Sequence, residues 1–326
     1  MCTLLTVKAN YSAQADRVEG YEVVTLGSHE ADLQASFAPG AGMVGCSLRH
    51  AGEELLHLGG GLGEYARTGA PMGIPFLHPW ANRLASFEYS FEGNTVVLDP
   101  DSPLLLRDGN GLPIHGLLGG SPHWRVLDAS ADGDGARLSA ELDFGAHEDL
   151  IAAFPFPHLV RLDVELEAAT LTVRTTVTPT GEGRVPISFG FHPYLRLPSV
   201  PRERWEVELP VGRRLALDER MIPTGGGDPV RFGRAPLGGR VFDDGFDELD
   251  AGRPFTIAAA GRELQTTFTS GYPFAQVYSP ADAQFICFEP MTAPTNALAA
   301  GGKLLPVVRA PGRYSAGFRI SIEVGR

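Results

Sequence analysis

Val160-Arg161-Leu162-Asp163-Val164-Glu165-Leu166-Glu167 alternates apolar and charged side chains without a fault. Successive side chains of a strand point to opposite faces, so this stretch has one buried and one wet face. Residues 171–178 repeat the pattern, with Leu171, Val173 and Val177 set against Thr172, Arg174, Thr176 and Thr178. Ala168-Ala169-Thr170 between them is short enough for a hairpin. The same alternation predicts a strand over 316–324, where Ala316, Phe318, Ile320, Ile322 and Val324 interleave with Gly317, Arg319, Ser321 and Glu323. Trp205, Val207 and Leu209 give a shorter example. Tyr89–Phe91 and Thr95–Leu98 read as a hairpin across Glu92-Gly93-Asn94, where the glycine supplies a positive φ. Arg137–Phe144 and Phe274–Tyr278 also read as strands. His147–Phe154, closed by Pro155, is a short helix, and Gly225-Gly226-Gly227 reads as a mobile loop.

Many short strands separated by turns predict an all-β fold, a large antiparallel sandwich or barrel. Composition agrees: 40 Gly and 26 Pro among 326 residues are too many breakers for a helical bundle. No linker, low-complexity tract or repeat divides the chain, so residues 1–326 are expected to form a single domain. Lys plus Arg is 27 and Asp plus Glu is 39, a net charge of −12. That balance, with no basic run longer than two, argues against nucleic acid as a partner. No apolar run approaches the ~18 residues that span a bilayer, and Met1–Lys8 does not read as a secretion leader. Cys2, Cys46 and Cys287 are odd in number and far apart, which fits free thiols in a reducing cytoplasm. Oligomeric state is not legible at this level.

Five segments place polar groups where a strand does not call for them. His78-Pro79-Trp80-Ala81-Asn82-Arg83 offers a planar fork of donors beside an amide, a set suited to a polyhydroxylated ligand or to pairing a carboxylate. Pro113-Ile114-His115-Gly116 follows a histidine with a glycine, which leaves room for a close approach. His123 lies eight residues on, but no third ligand at suitable spacing makes a metal site. Gly190-Phe191-His192-Pro193-Tyr194 sets an imidazole in an aromatic stretch. Phe285-Ile286-Cys287-Phe288-Glu289-Pro290 ends an apolar strand on a carboxylate, either Arg-paired or poised as a general base. Phe242-Asp243-Asp244-Gly245-Phe246 reads as two acids in a turn. Gly-x-Ser-x-Gly and nucleotide-binding glycine loops are missing, so covalent catalysis and nucleotide binding are disfavoured. Two His, a Glu, an Asp, an Arg and an Asn on a β scaffold suit proton transfer and hydroxyl binding.

In this order, Pro79-Trp80-Ala81-Asn82-Arg83, Ile114-His115-Gly116-Leu117, Gly190–Tyr194, Asp243–Phe246, Phe288-Glu289-Pro290 and Pro311-Gly312 resemble the aldose 1-epimerase (galactose mutarotase-like) family. The resemblance runs from about residue 75 to the C-terminus and implies the galactose mutarotase-like supersandwich. It implies a catalytic set of Glu289, His192 and His115. It implies sugar binding by Asn82, Arg83 and Asp243, with Asp244 the adjacent alternative to Asp243. Phe191 stands where galactose-specific members carry Asn, so the resemblance is to the diverse bacterial branch. The implied reaction interconverts the anomers of a free aldose by ring opening and reclosure. Glu289 would take the proton of the anomeric hydroxyl, as an ionised base, and protonated His192 would supply the ring oxygen. His115 would assist there or orient the sugar. No hydride moves and no covalent intermediate forms, so neither metal nor other cofactor is expected.

Three other readings start from the same residues. A carbohydrate-binding protein on this fold would use Trp80, Tyr194 and Phe246 as sugar platforms and have no need of both His192 and Glu289. A glycoside hydrolase needs a second carboxylate beside Glu289, for which Asp243 and Asp244 are candidates. A mutarotase for a phosphorylated or sulfonated hexose needs extra cations, drawn from Arg107, Arg196 or His78.

Overall fold

Two large antiparallel sheets carry the architecture of the computed structural model, which describes residues 10–325. Met1–Lys8, and with them Cys2, lie outside the described residues. One sheet has nine strands, in the order Arg125–Ala131, Ala136–Asp143, His158–Glu167, Thr170–Pro179, Tyr314–Val324, Arg262–Ser270, Phe255–Ala259, Glu206–Leu209 and Phe232–Pro236. The deciding stretch sits near its middle. Val160, Leu162, Val164 and Leu166 are buried while Arg161 and Glu167 are exposed, and Glu167 pairs with Thr170 across the hairpin. Ala316, Phe318, Ile320 and Ile322 are buried as expected, but Val324 is 61% exposed because the strand runs past the edge of the core.

The second sheet has eight strands. Its path runs Pro223–Pro229, Val211–Leu217, Phe242–Leu249, Phe274–Ser279, Ile286–Met291, Gly190–Phe191 and Phe76–Leu77, with Tyr194–Leu195 also paired to Ile286–Met291. A large antiparallel β-sandwich results, as expected, and one apolar cluster reaches from Val24 to Ile322 through both sheets. Trp80, Trp205, Phe189 and Phe246 are among its fully buried side chains. A five-stranded sheet, Tyr11–Val18 through Glu53–Glu54, is absent from the sequence reading. Its first strand buries little and shows no clean alternation, so no period announces it.

The helix lies at Glu148–Ala153, and the turn in the 89–98 hairpin narrows to Glu92-Gly93. Two expectations need correcting. Gly225-Gly226-Gly227 lies within the Pro223–Pro229 strand, paired to Val211–Leu217. A Cβ at Gly227 would stand 2.6 Å from the Arg214 carbonyl, so glycine here permits close pairing. Phe242–Phe246 is likewise strand and not turn. It pairs on one side with Phe274–Ser279 and on the other with Val211–Leu217. Among the described residues no helix is long and apolar enough to cross a membrane.

Candidate active site

Strand alternation selects which side chains meet at the site. Phe274–Ser279 sends Ala275 and Val277 into the main core and Gln276 and Tyr278 to the opposite face. Gln276 pairs in register with Glu289, whose neighbours Ile286 and Phe288 are core residues. Tyr278 pairs with Asp243. One face of three adjacent strands therefore presents Asp243, Gln276, Tyr278 and Glu289 together. Asp244, one residue on, points to the other side, 3.9 Å from Arg214. His192 falls between Gly190–Phe191 and Tyr194–Leu195, where Pro193 interrupts regular pairing.

Two loops close the site. Leu117 N–H donates to the His78 carbonyl, His115 N–H to the Asn82 carbonyl, and Leu84 N–H to the Pro113 carbonyl. The room left by Gly116 is filled by protein, since a Cβ there would lie 2.2 Å from the His78 carbonyl oxygen. Asn82 and His115 both take a positive φ, a conformation that costs a non-glycine residue energy and is common at functional sites.

All six expected residues, Asn82, Arg83, His115, His192, Asp243 and Glu289, line one cavity of about 430 Å³. That volume suits a small ligand. Asp108, Arg107, Tyr194, Gln276 and Tyr278 line it too. The sequence reading missed Asp108, Gln276 and Tyr278 as site residues. Gln276 had a usable signal, an amide in an otherwise apolar buried strand. A larger cleft, about 580 Å³ around Phe268 and Tyr272, holds none of the expected residues. Trp80 and Phe246 are buried in the core and offer no sugar platform, whereas Tyr194 does line the cavity. His78 and Arg196 are not cavity residues. His78 is buried against His158, with 2.8 Å between their Nε2 atoms.

His192 Nε2 lies 3.2 Å from Glu289 Oε1, and both side chains are buried. The Tyr194 ring stacks on the imidazole at 4.3 Å and 9°, with its hydroxyl 3.5 Å from Nε2. His115 meets His192 edge-on at 5.3 Å. Burial, reinforced by Asp243, pushes the Glu289 carboxyl well above its ordinary range, against the opposing pull of Arg83. Burial, with His115 and Arg83, pushes His192 well below the imidazole range. Both shifts favour the uncharged carboxyl and the uncharged imidazole over the ionised Glu289 and protonated His192 expected from the sequence. A neutral pair and an ion pair carry the same number of protons, so only the proton's position differs. Burial and the Arg83 charge lower His115 to about 3. His115 Nδ1, His192 Nδ1 and Glu289 Oε2 are buried without a hydrogen-bond partner. Each such orphan costs ~1–3 kcal/mol.

Arg83 is held on three sides. Its Nε donates to Asp108 Oδ2 at 2.7 Å and its Nη1 to Asn82 Oδ1 at 3.0 Å, while Nη2 lies 3.6 Å from Asp243 Oδ2. Gln276 Nε2 donates to Asp243 Oδ1 at 2.6 Å.

The model of the aldose 1-epimerase family matches residues 22–320. The chain belongs to the aldose 1-epimerase family. Membership makes it an isomerase of the mutarotase type, in a family that acts on aldose sugars. Among solved structures, it resembles a galactose mutarotase-like protein of Clostridium acetobutylicum at 17% identity, with a TM-score of 0.85 over 97% of this chain and 100% of that one. The Slr1438 protein of Synechocystis is 22% identical, with a TM-score of 0.76 over 95% and 97% of the two chains. Galactose 1-epimerase of Lactobacillus acidophilus is 15% identical, with a TM-score of 0.75 over 98% and 100%. At these identities the likeness speaks for the aldose 1-epimerase fold alone. No curated protein matches the chain.

Proposed function

We propose that the protein interconverts the α and β anomers of a free, uncharged aldose, with Glu289 and His192 as its proton-transfer pair. The observation that carries this reading is their 3.2 Å contact, buried in a cavity lined by hydroxyl-binding groups. Before a sugar arrives the shared proton rests on Glu289. Passing it to His192 leaves a carboxylate and an imidazolium. The carboxylate takes the proton of the anomeric hydroxyl, the imidazolium gives one to the ring oxygen, and the ring opens. After rotation about the bond between the first two carbons the transfers reverse, and closure on the other carbonyl face gives the other anomer. Each positioned acid or base contributes ~10²–10⁴-fold.

His115, kept neutral beside His192, orients the sugar without adding a second positive charge. Asn82, Arg83 and Asp243 hold its hydroxyls. Asp243 fits this role better than Asp244, because it lines the cavity. A non-catalytic sugar binder on the same fold has no use for a buried carboxyl and imidazole that oppose each other's ordinary charge. Charge also disfavours a phosphorylated or sulfonated hexose. Of the three candidate cations for such an anion, Arg107 alone lines the cavity, where the negative charges of Asp108 and Asp243 balance the positive charges of Arg83 and Arg107. We take the chain as one domain, since its main apolar cluster draws on residues from both ends. Cytoplasmic residence fits the two buried free thiols, Cys46 and Cys287.

Polarimetry or NMR of freshly dissolved α-anomers, for several aldoses and their C4 epimers, tests the proposal. Faster equilibration of one sugar is expected. Equal rates with and without protein for every aldose would remove it.

A further inference from the structure

Arg83 is the cation best placed to grip a sugar, yet one of its two carboxylate partners is itself a proposed sugar ligand. Asp243 is 33% exposed along its side chain and sits 3.6 Å from Nη2, beyond hydrogen-bond range. A hydroxyl that occupies Asp243 competes for that contact. Asp108 is different. Its side chain is 5% exposed, and Oδ2 accepts from Arg83 Nε at 2.7 Å. Its other oxygen, Oδ1, accepts from the amides of Asn110 and Leu112 at 2.9 Å each. Asp108 N–H donates to the Leu112 carbonyl, and Gly111 N–H donates to the Asp108 carbonyl. The tight loop so closed leads through Pro113 and Ile114 to His115, and Ile114 bridges back to Arg83.

We propose that Asp108 is a positioning residue for the anomer-exchange site: one oxygen aims the Arg83 guanidinium into the cavity while the other fixes the loop that delivers His115. With Nε held by Asp108 and Nη1 by Asn82, Nη2 has no hydrogen-bond acceptor in range and is left for a ligand hydroxyl in the cavity that Arg83 lines. Because Asp108 is buried, it remains the partner of Arg83 when a sugar takes Asp243, so the guanidinium keeps a counter-charge throughout binding. Burial raises the Asp108 carboxyl, but the Leu112 amide, Arg83 and the Asn110 amide together outweigh it and hold the group below its usual range. It therefore stays an anion under working conditions.

This role rests on the proposed anomer exchange, and the test separates the two. Asp108→Asn keeps an acceptor for the two loop amides but sets an amide NH2 against Arg83 Nε. In polarimetry, D108N is expected to raise KM at least ~10-fold, the loss of a hydrogen bond to a charged group. Turnover should stay within about 3-fold of wild type, while the melting temperature falls by a few degrees, because the largely buried Arg83 Nε–H loses its acceptor. In an R83A background, adding D108N should change KM by less than about 2-fold, because the two act as a unit. Asp108→Ala should lower the melting temperature as well. A wild-type KM in D108N, or the same D108N effect in both backgrounds, would overturn the role. If the wild type accelerates no aldose, the anomer-exchange reading fails on its own. The Arg83 Nε–H resonance then decides the geometry: slow solvent exchange in the wild type and fast exchange in D108N are expected, and equal rates refute it.

Discussion

Replacing Glu289 by glutamine removes the proton acceptor while keeping its shape. In E289Q an amide can donate to His192 Nε2 over the same 3.2 Å that the protonated carboxyl spans. It cannot take the anomeric proton. A single general base supplies ~10²–10⁴-fold, so kcat should fall at least ~10²-fold, about 2.7 kcal/mol of barrier. Stability should move the other way, with a sign fixed by burial. The folded Glu289 holds its proton well above the ordinary carboxyl range, whereas the unfolded chain releases it near 4.5. A raised pKa contributes stability that is complete below 4.5 and is lost as pH climbs toward the folded value. E289Q does not titrate. Its melting temperature should thus match the wild type within about 2 °C near pH 4.5 and exceed it increasingly as pH rises. Stopped-flow polarimetry on a fresh α-anomer reads the first effect, and scanning calorimetry from pH 4.5 to 9 reads the second. Near-normal turnover would refute Glu289 as the base. A pH-independent difference in melting temperature would refute a neutral carboxyl in the folded state.

Three further outcomes follow from other contacts. Arg83→Ala should raise KM by ~10- to 10²-fold, the worth of hydrogen bonds to a charged group, and leave kcat within about 3-fold; a kcat collapse at unchanged KM would count against a binding role. Gly116→Ala should cost at least ~2 kcal/mol in urea unfolding, because its Cβ meets the His78 carbonyl oxygen at 2.2 Å and φ is +74°; wild-type stability would show the loop is free to shift. His158 Nδ1 donates to the Phe156 carbonyl, so its Nε2 accepts from His78, and burial holds His158 down at about 4 and His78 well below its ordinary 6.5. Lowered values give stability that is present above 6.5 and lost as pH falls through 4, so an H78L/H158L double variant should flatten the melting temperature between those limits, and parallel curves would disprove a neutral pair.

What could be read without coordinates was whatever local pattern carries. The strand at 158–167 announces itself because one face is buried and the other wet. The eight-stranded sheet is harder. Ile286–Met291 is buried along its whole length, so its side chains show no alternation, and only Glu289 breaks the apolar run. That same burial is why Glu289 stood out as a candidate. Gln276 interrupts an otherwise apolar strand, a sign that could have marked it, but its value lies in being opposite Glu289, and that pairing has no local trace. Asp108 opens Asp108-Gly109-Asn110-Gly111, which reads as an ordinary turn; its bond to Arg83, 25 residues earlier, has no local trace. Trp80 and Phe246 misled for the converse reason, since an aromatic side chain looks alike as sugar platform and as core.

The fold explains why a neutral carboxyl and a neutral imidazole can be kept together at all. Glu289 is flanked in sequence by Phe288 and Pro290, and Phe288 points into the same core as Phe255. His192 is covered by the Tyr194 ring and faces Tyr278 at 5.9 Å. Low-dielectric walls on these sides disfavour the charged form of each residue taken singly. An ion pair is less penalised than either separate charge, because its attraction strengthens in the same medium. Moving one proton over 3.2 Å is therefore a smaller step than charging either group from solvent. A surface Glu–His pair would gain little from this arrangement, because water stabilises each charge independently. Burial beside the cavity therefore couples the two groups, so that one proton can pass between them without either being charged from solvent.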